Sequence, residues 1–180
     1  MKLLFLPIDI DLKGFEFQQM GELEHGNLFN PWWNATFIKE ETIIKNDFNL
    51  ILDQLPFKQI TRLFHKTQKS AVGSHVDVMP QMQMEENEYD HIKKNEPCGY
   101  RIVLKGGTDK VKIKTSSGWV TSILPSVPSC YIINSTEAFH TVDFDEIRET
   151  IYIRGFLDIE KHHQLVEKSL LKYKDYAIYG

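Results

Sequence analysis

A chain of 180 residues that is 42% hydrophobic and carries a formal net charge of −4 has the material for one domain core. It has no general attraction for nucleic acid or anionic membranes, so neither partner is expected. Its two cysteines, Cys98 and Cys130, lack CxxC spacing and follow no secretory signal, which predicts free thiols in a reducing, cytoplasmic compartment.

In chain order, the apolar run at the amino terminus is broken by Pro7 and Asp9. It is too short for a signal peptide or a span and reads as a strand over 2–10. Trp32 and Trp33, after Asn30-Pro31, are core candidates that would also suit the rim of a substrate mouth. Ile44, Phe48, Ile51, Leu52 and Leu55 share one face of a helix over 40–55, which Pro56 ends. Strands are predicted over 60–67, 75–79, 99–105, 110–115, 118–124, 130–134, 139–144 and 147–157. Turn residues separate several of them: Gly106-Gly107-Thr108-Asp109, Ser116-Ser117-Gly118, Pro125 to Pro128, and Asn134-Ser135-Thr136-Glu137. Many short strands so spaced predict a barrel or sandwich. Lys110, Lys112 and Lys114 alternate with Val111 and Ile113, the pattern of a strand with one solvated face. A last helix fits 159–173, with Asp158 as its cap.

The chemistry lies in the spacing of a few polar residues. His75 and Asp77 are two apart on a predicted strand, so both side chains point to the same face and can hold adjacent positions on one metal ion. His140 follows 63 residues after Asp77, and Arg148 eight residues later. Two histidines and a carboxylate on one face of an octahedral ion leave three positions open, the arrangement of non-haem Fe(II) oxygenases. Arginine is scarce: 17 of the 21 basic residues are lysines, and Arg62, Arg101, Arg148 and Arg154 all lie in apolar, strand-like runs. A guanidinium matches a carboxylate bidentately and stays charged when partly buried, so these positions predict an anion in the interior. Strand parity places Arg148, Thr150, Tyr152 and Arg154 on one face and Glu149, Ile151 and Ile153 on the other.

The series Arg62-Leu63-Phe64, Gly73-Ser74-His75-Val76-Asp77, Arg101-Ile102-Val103-Leu104, Tyr131-Ile132-Ile133-Asn134, His140-Thr141-Val142 and Arg148-Glu149-Thr150 resembles the aspartyl/asparaginyl β-hydroxylase and proline hydroxylase branch of the 2-oxoglutarate/Fe(II) dioxygenases. The resemblance runs from about residue 60 to Asp158. It implies a mainly β fold, a double-stranded β-helix of the jelly-roll, cupin-like kind with flanking helices. The expected single domain over 1–180 has its β-helix core at about 60–158, a strand and helix in 1–59, and a helix in 159–180. By the same resemblance His75, Asp77 and His140 ligate Fe(II), Arg148 pairs with the far carboxylate of 2-oxoglutarate beside Thr150, and Arg101 approaches the co-substrate. The implied reaction consumes 2-oxoglutarate and O2, releases succinate and CO2, and hydroxylates a C–H bond of an amino acid, a peptide residue or another small molecule.

The chain departs from the family pattern in three places. Arg101-Ile102-Val103 stands where Arg-x-His is frequent, the stretch from Met79 to Pro97 is long, and the interval from His140 to Arg148 is short. Arg154, on the same predicted face, is therefore a rival for the carboxylate; Arg148-x-Thr150 is preferred because it sets a hydroxyl beside the guanidinium. The alternative function is a cupin-like metal- or ligand-binding module without oxygenase activity, for which an arginine one strand from the ligands has no use. A halogenase-like variant is disfavoured, because Asp77 supplies the ligand that a halide would replace. The acidic run Glu85, Glu86, Glu88, Asp90 and His91 reads as a mobile, solvated loop able to close as a lid. His162 and His163 read as a solvated helix face, and His25 and His65 as structural or exposed.

Overall fold

The computed structural model describes residues 1–19, 33–77, 84–106 and 111–180. Along the chain come β1 (Leu3–Ile8), β2 (Trp33–Phe37), α1 (Glu40–Lys45), α2 (Asn49–Leu52), β3 (Phe57–Gln68), β4 (Val72–His75), α3 (Glu88–Asn95), β5 (Gly99–Lys105), β6 (Val111–Thr115), β7 (Gly118–Thr121), β8 (Ser129–Ile133), β9 (His140–Val142), β10 (Arg148–Leu157), α4 (Ile159–Tyr173) and β11 (Ile178–Tyr179). With 40% of residues in strands and 23% in helices, the chain is mainly β. The strands form two antiparallel sheets, β11-β1-β8-β5-β10-β3-β2 and β4-β9-β6-β7. Among the described residues no helix is long and apolar enough to cross a membrane.

Both faces of the large sheet are covered, and alternation along its strands sorts side chains between them. Leu6, Tyr100, Ile102, Ile132, Ile151 and Ile153 point to the helical side, where they meet Phe48, Ile51 and Leu55 of the α1–α2 region, Ile92 of α3, and Leu165, Val166 and Leu170 of α4. Phe5, Val103, Tyr131 and Ile133 point to the other side and share a second apolar cluster with Val111 and Ile113 of the small sheet. The two sheets therefore enclose an interior of their own. Alternation on β6 follows the sequence, with Val111 and Ile113 buried and Lys112 and Lys114 more open; Lys110 lies outside the described residues.

Register along the longest pairing, β3 with β10, is broken at Gly155. A Cβ there would stand 2.0 Å from the Gln59 carbonyl oxygen, so only glycine lets the two backbones approach. Just before the break, Arg154 is fully buried. Its Nη1 donates to Glu96 Oε1 at 2.8 Å, its Nη2 to Ser135 Oγ at 2.6 Å and its Nε to the Tyr152 hydroxyl at 2.7 Å. This buried ion pair joins β10 to the segment that precedes β5 and to the turn after β8.

Three expectations are corrected. The helix over 40–55 is two short helices, because Asn46 turns its amide back onto the Thr42 carbonyl at 2.7 Å and Asp47 adopts a positive φ of 49°; the break leaves Ile44 63% exposed. The acidic run is not a solvated loop. It contains α3, whose fully buried Glu88 accepts from the Thr61 hydroxyl at 2.6 Å and lies 3.7 Å from Arg62 Nε, while His91 Nε2 accepts from the Leu157 amide at 2.9 Å. These contacts fix the segment to the helical side of the sheet. His162 is not solvated either: it is buried on α4, with Nδ1 2.8 Å from the Tyr100 hydroxyl. The Asp158 cap forms as expected, its carboxylate accepting from the Lys161 amide at 3.3 Å. Cys98 and Cys130 are free thiols, both buried.

Two stability predictions follow from these buried groups. Removing one partner of a buried ion pair leaves an uncompensated charge, so Glu96→Ala should destabilise the fold by about 3–5 kcal/mol, measurable by urea unfolding; a loss below about 1 kcal/mol would contradict the pairing. Burial holds the His162 imidazole down at about 4, against about 6.5 in the unfolded chain. Between those values the unfolded chain binds a proton that the folded chain does not, so stability is full above about pH 6.5 and falls as the pH drops towards 4. At pH 5 this one group should account for a loss of about 2 kcal/mol, and His162→Gln should show a correspondingly flatter profile between pH 7 and 5.

Candidate metal centre and its cleft

His75 and His140 face each other across the small sheet, as the paired residues at one end of the β4–β9 ladder. Their ring centroids are 4.3 Å apart. In each ring Nδ1–H donates to a backbone carbonyl two residues back, His75 to Gly73 at 2.7 Å and His140 to Ala138 at 3.1 Å. Such a bond selects the tautomer that leaves Nε2 as the free lone pair and holds the ring in orientation. Asp77 Oδ1 lies 3.6 Å from His75 Nε2 and 3.7 Å from His140 Nε2. One ligand atom from each residue lies within 4.8 Å of the other two, close enough to hold one ion.

The route by which Asp77 arrives differs from the parity argument. The strand ends at His75, and Asp77 lies beyond it. Its amide donates to the Ser135 carbonyl at 2.6 Å, and its Oδ2 accepts from Arg101 Nη2 at 2.8 Å. The two carboxylate oxygens are thus divided, one held by the large sheet and one turned towards the imidazoles. Burial works against a charged Asp77, but the neighbouring His75 imidazole and the positive field of Arg101 and Lys66 outweigh it and hold the carboxyl well below its usual range. Burial pushes His140 down to about 4, which keeps that ring neutral at pH 7. His75 is moved up, first by its contact with Asp77.

These three residues open onto a cleft between the two sheets. Val72, Val111, Ile133 and Val142 supply apolar walls, and Arg101, Arg148 and Lys66 supply positive charge. Arg148 is 9% exposed, and its Nη2 donates to the Tyr131 hydroxyl at 3.1 Å. Its Nε is buried with no hydrogen-bond partner among the described residues. A buried guanidinium N–H is expensive to leave unpaired, which marks Arg148 as a residue with donor capacity still to be met. Gly106, at φ 96°, makes room for this residue: a Cβ there would stand 2.9 Å from Arg148 Cα.

Of the predicted site residues, His75, Asp77, His140, Arg101, Arg148 and Thr150 come together around the cleft. Arg154 does not line it. Three of its nitrogens serve Glu96, Ser135 and Tyr152, which makes it a positioning residue behind the site. The Ser135 it grips is also the residue whose carbonyl anchors Asp77. Trp33 lines the cleft; Trp32 and His25 lie outside the described residues. Two further lining residues are Tyr131, which belongs to the quoted motifs but had no role in them, and Lys66. Lys66 is placed by strand parity, since it sits between Phe64 and Gln68 opposite Thr150 of β10, but nothing in its local sequence separates it from a solvated lysine. Compared with models of known protein families and with curated proteins, the chain matches none.

The donor set suits a divalent first-row ion that accepts imidazole and carboxylate. One such ion per chain is expected, and replacing His75, Asp77 or His140 by alanine should weaken its binding by roughly two orders of magnitude or more, since three ligands leave none to spare. Elemental analysis after dialysis measures this; undiminished metal in His140→Ala would remove that residue from the site.

Proposed function

We propose that the protein is a non-haem Fe(II), 2-oxoglutarate-dependent dioxygenase of the aspartyl/asparaginyl and proline hydroxylase kind, acting on a C–H bond of an amino acid, a peptide residue or another small molecule. The observation that carries this reading is one cleft holding both a His-Asp-His cluster and a buried arginine with an unsatisfied N–H. A module that only held a metal would have no need of the second feature. The fold supports the reading as well. The eight strands β3 to β10 divide into β8-β5-β10-β3 of the large sheet and β4-β9-β6-β7 of the small one, which we read as the two four-stranded halves of a double-stranded β-helix, with the imidazoles paired on the neighbouring strands β4 and β9 and Arg148 at the start of the last.

His75, Asp77 and His140 would hold Fe(II) and leave its remaining positions to ligands. Bound there with O2, 2-oxoglutarate supplies the oxidising chemistry, its decarboxylation to succinate and CO2 being coupled to hydroxylation of the substrate. The chain's own residues do the rest. Arg101 takes one oxygen of Asp77 and keeps the carboxylate ionised and oriented. Arg148 is charged and already tilted by Tyr131, so its free donors can meet the far carboxylate of 2-oxoglutarate beside Thr150. The valine and isoleucine walls limit water and strengthen each charge interaction inside.

Purified protein with Fe(II), ascorbate, 2-oxoglutarate and O2 should release succinate above an Asp77→Ala control even without the prime substrate. If iron and 2-oxoglutarate both bind and no succinate appears, the cupin-like binding module becomes the better description. Arg148→Lys should raise the 2-oxoglutarate requirement by about tenfold or more while metal content is retained, since a point charge cannot replace the bidentate fork. A titration in which Arg154→Lys has the larger effect at matched folded fraction would move the co-substrate to the other arginine.

A further inference from the structure

Lys66 is the cation in the cleft that the proposed reaction leaves unused. It stands on β3 with Thr150 of β10 and Ala35 of β2 as its cross-strand partners, and its side chain lines the cleft. The ammonium lies among rings, 4.3 Å from the centroid of Trp33, 4.9 Å from Tyr152 and 5.3 Å from Phe64. No carboxylate among the described residues is within ion-pair distance of it. Its neighbours are already committed: Arg101 to Asp77 at 2.8 Å, and Arg154 to Glu96 at 2.8 Å.

Charge counting gives the same direction. The cleft holds three cationic side chains, Lys66, Arg101 and Arg148, against the single carboxylate of Asp77, an excess of two positive charges. A divalent ion and a dianionic co-substrate cancel one another, so the excess survives their binding. Like charges confined in a low-dielectric cleft repel strongly, and an incoming anion relieves that repulsion. Burial holds the Lys66 ammonium down at about 8, with Asp77 pulling the other way and Arg101, Arg148 and Arg154 opposing Asp77.

We propose that Lys66, walled by Trp33 and Tyr152, binds a carboxylate on the prime substrate, so that the molecule oxidised here is an acid whose anionic group sits over β3 while its apolar part extends towards the metal. The inference rests on the oxygenase reading and specifies its substrate class. One ammonium among aromatic faces fits a monoanion on an apolar stem. The rings give the stem a surface and hold the ammonium in place through cation–π attraction.

The test uses the full chain loaded with Mn(II) and saturated with 2-oxoglutarate, and follows the paramagnetic relaxation of the methyl protons of two probes, propionate and its neutral isostere propionamide. Wild type should bind propionate about tenfold or more tightly than propionamide, the effect of one charge-assisted contact. In Lys66→Met the preference should fall to within about twofold, and Lys66→Arg should restore it; retained Mn(II) relaxivity reports that each variant is folded. A preference that survives in Lys66→Met overturns the inference and leaves the oxygenase reading standing. So does a larger loss of 2-oxoglutarate affinity in Lys66→Met than in Arg148→Met, which would assign Lys66 to the co-substrate. Failure of 2-oxoglutarate to bind the wild type at all overturns both.

Discussion

The site depends on the Asp77–Arg101 ion pair, because that contact ties the end of one sheet to the centre of the other. Asp77 follows β4 in the small sheet and Arg101 lies in β5 of the large one. Their 2.8 Å bond fixes one carboxylate oxygen and leaves the second between the two imidazoles. Without Arg101 the carboxylate would be half-buried, poorly neutralised and free to rotate; without Asp77 the guanidinium would be left charged in an apolar interior. Arg101 is itself seated on the Tyr152 ring, its centre 4.6 Å from the centroid, so the orientation of the ligand is handed on from the body of the large sheet.

β10 carries much of the remaining arrangement. One face gives Ile151 and Ile153 to the helical core. The other gives Arg148, Thr150 and Tyr152 to the cleft and, one step further, Arg154 to a wholly buried ion pair. The two arginines have the same chemistry, parity and strand, yet different fates. Arg154 meets Glu96, Ser135 and the Tyr152 hydroxyl, which consume its donors. Among the described residues Arg148 donates to the Tyr131 hydroxyl, and its Nε is left without a partner. What an arginine does is thus set by the acceptors that the fold brings to it.

Electrostatics in the cleft are arranged around one negative group. Asp77 faces His75, Arg101, His140 and Lys66 together. Such a cleft is matched to anions and to a metal ligated by neutral imidazole, and its apolar walls keep the charges from being screened by water.

The sequence by itself determined whatever depends on local periodicity and local chemistry. Two-residue alternation predicted which side chains of β10 and β6 share a face, Asp158 was readable as a cap, and the spacing of His75, Asp77, His140 and Arg148 singled out residues that do meet around one cleft. Tertiary structure alone decided the rest, because each remaining choice turns on a partner distant in the chain. Asp77 is placed by Ser135 and Arg101 and not by strand parity. Glu88 draws an acidic run into the fold because Thr61 and Arg62 await it, and His162 is buried because Tyr100 faces it. Lys66 looks like any other surface lysine until β2 and β10 close around it. A charged or polar side chain carries in its own sequence no record of whether a neighbour will satisfy it or of how much water it will keep, and those two quantities decide whether it ends at the surface, in the core or in the site.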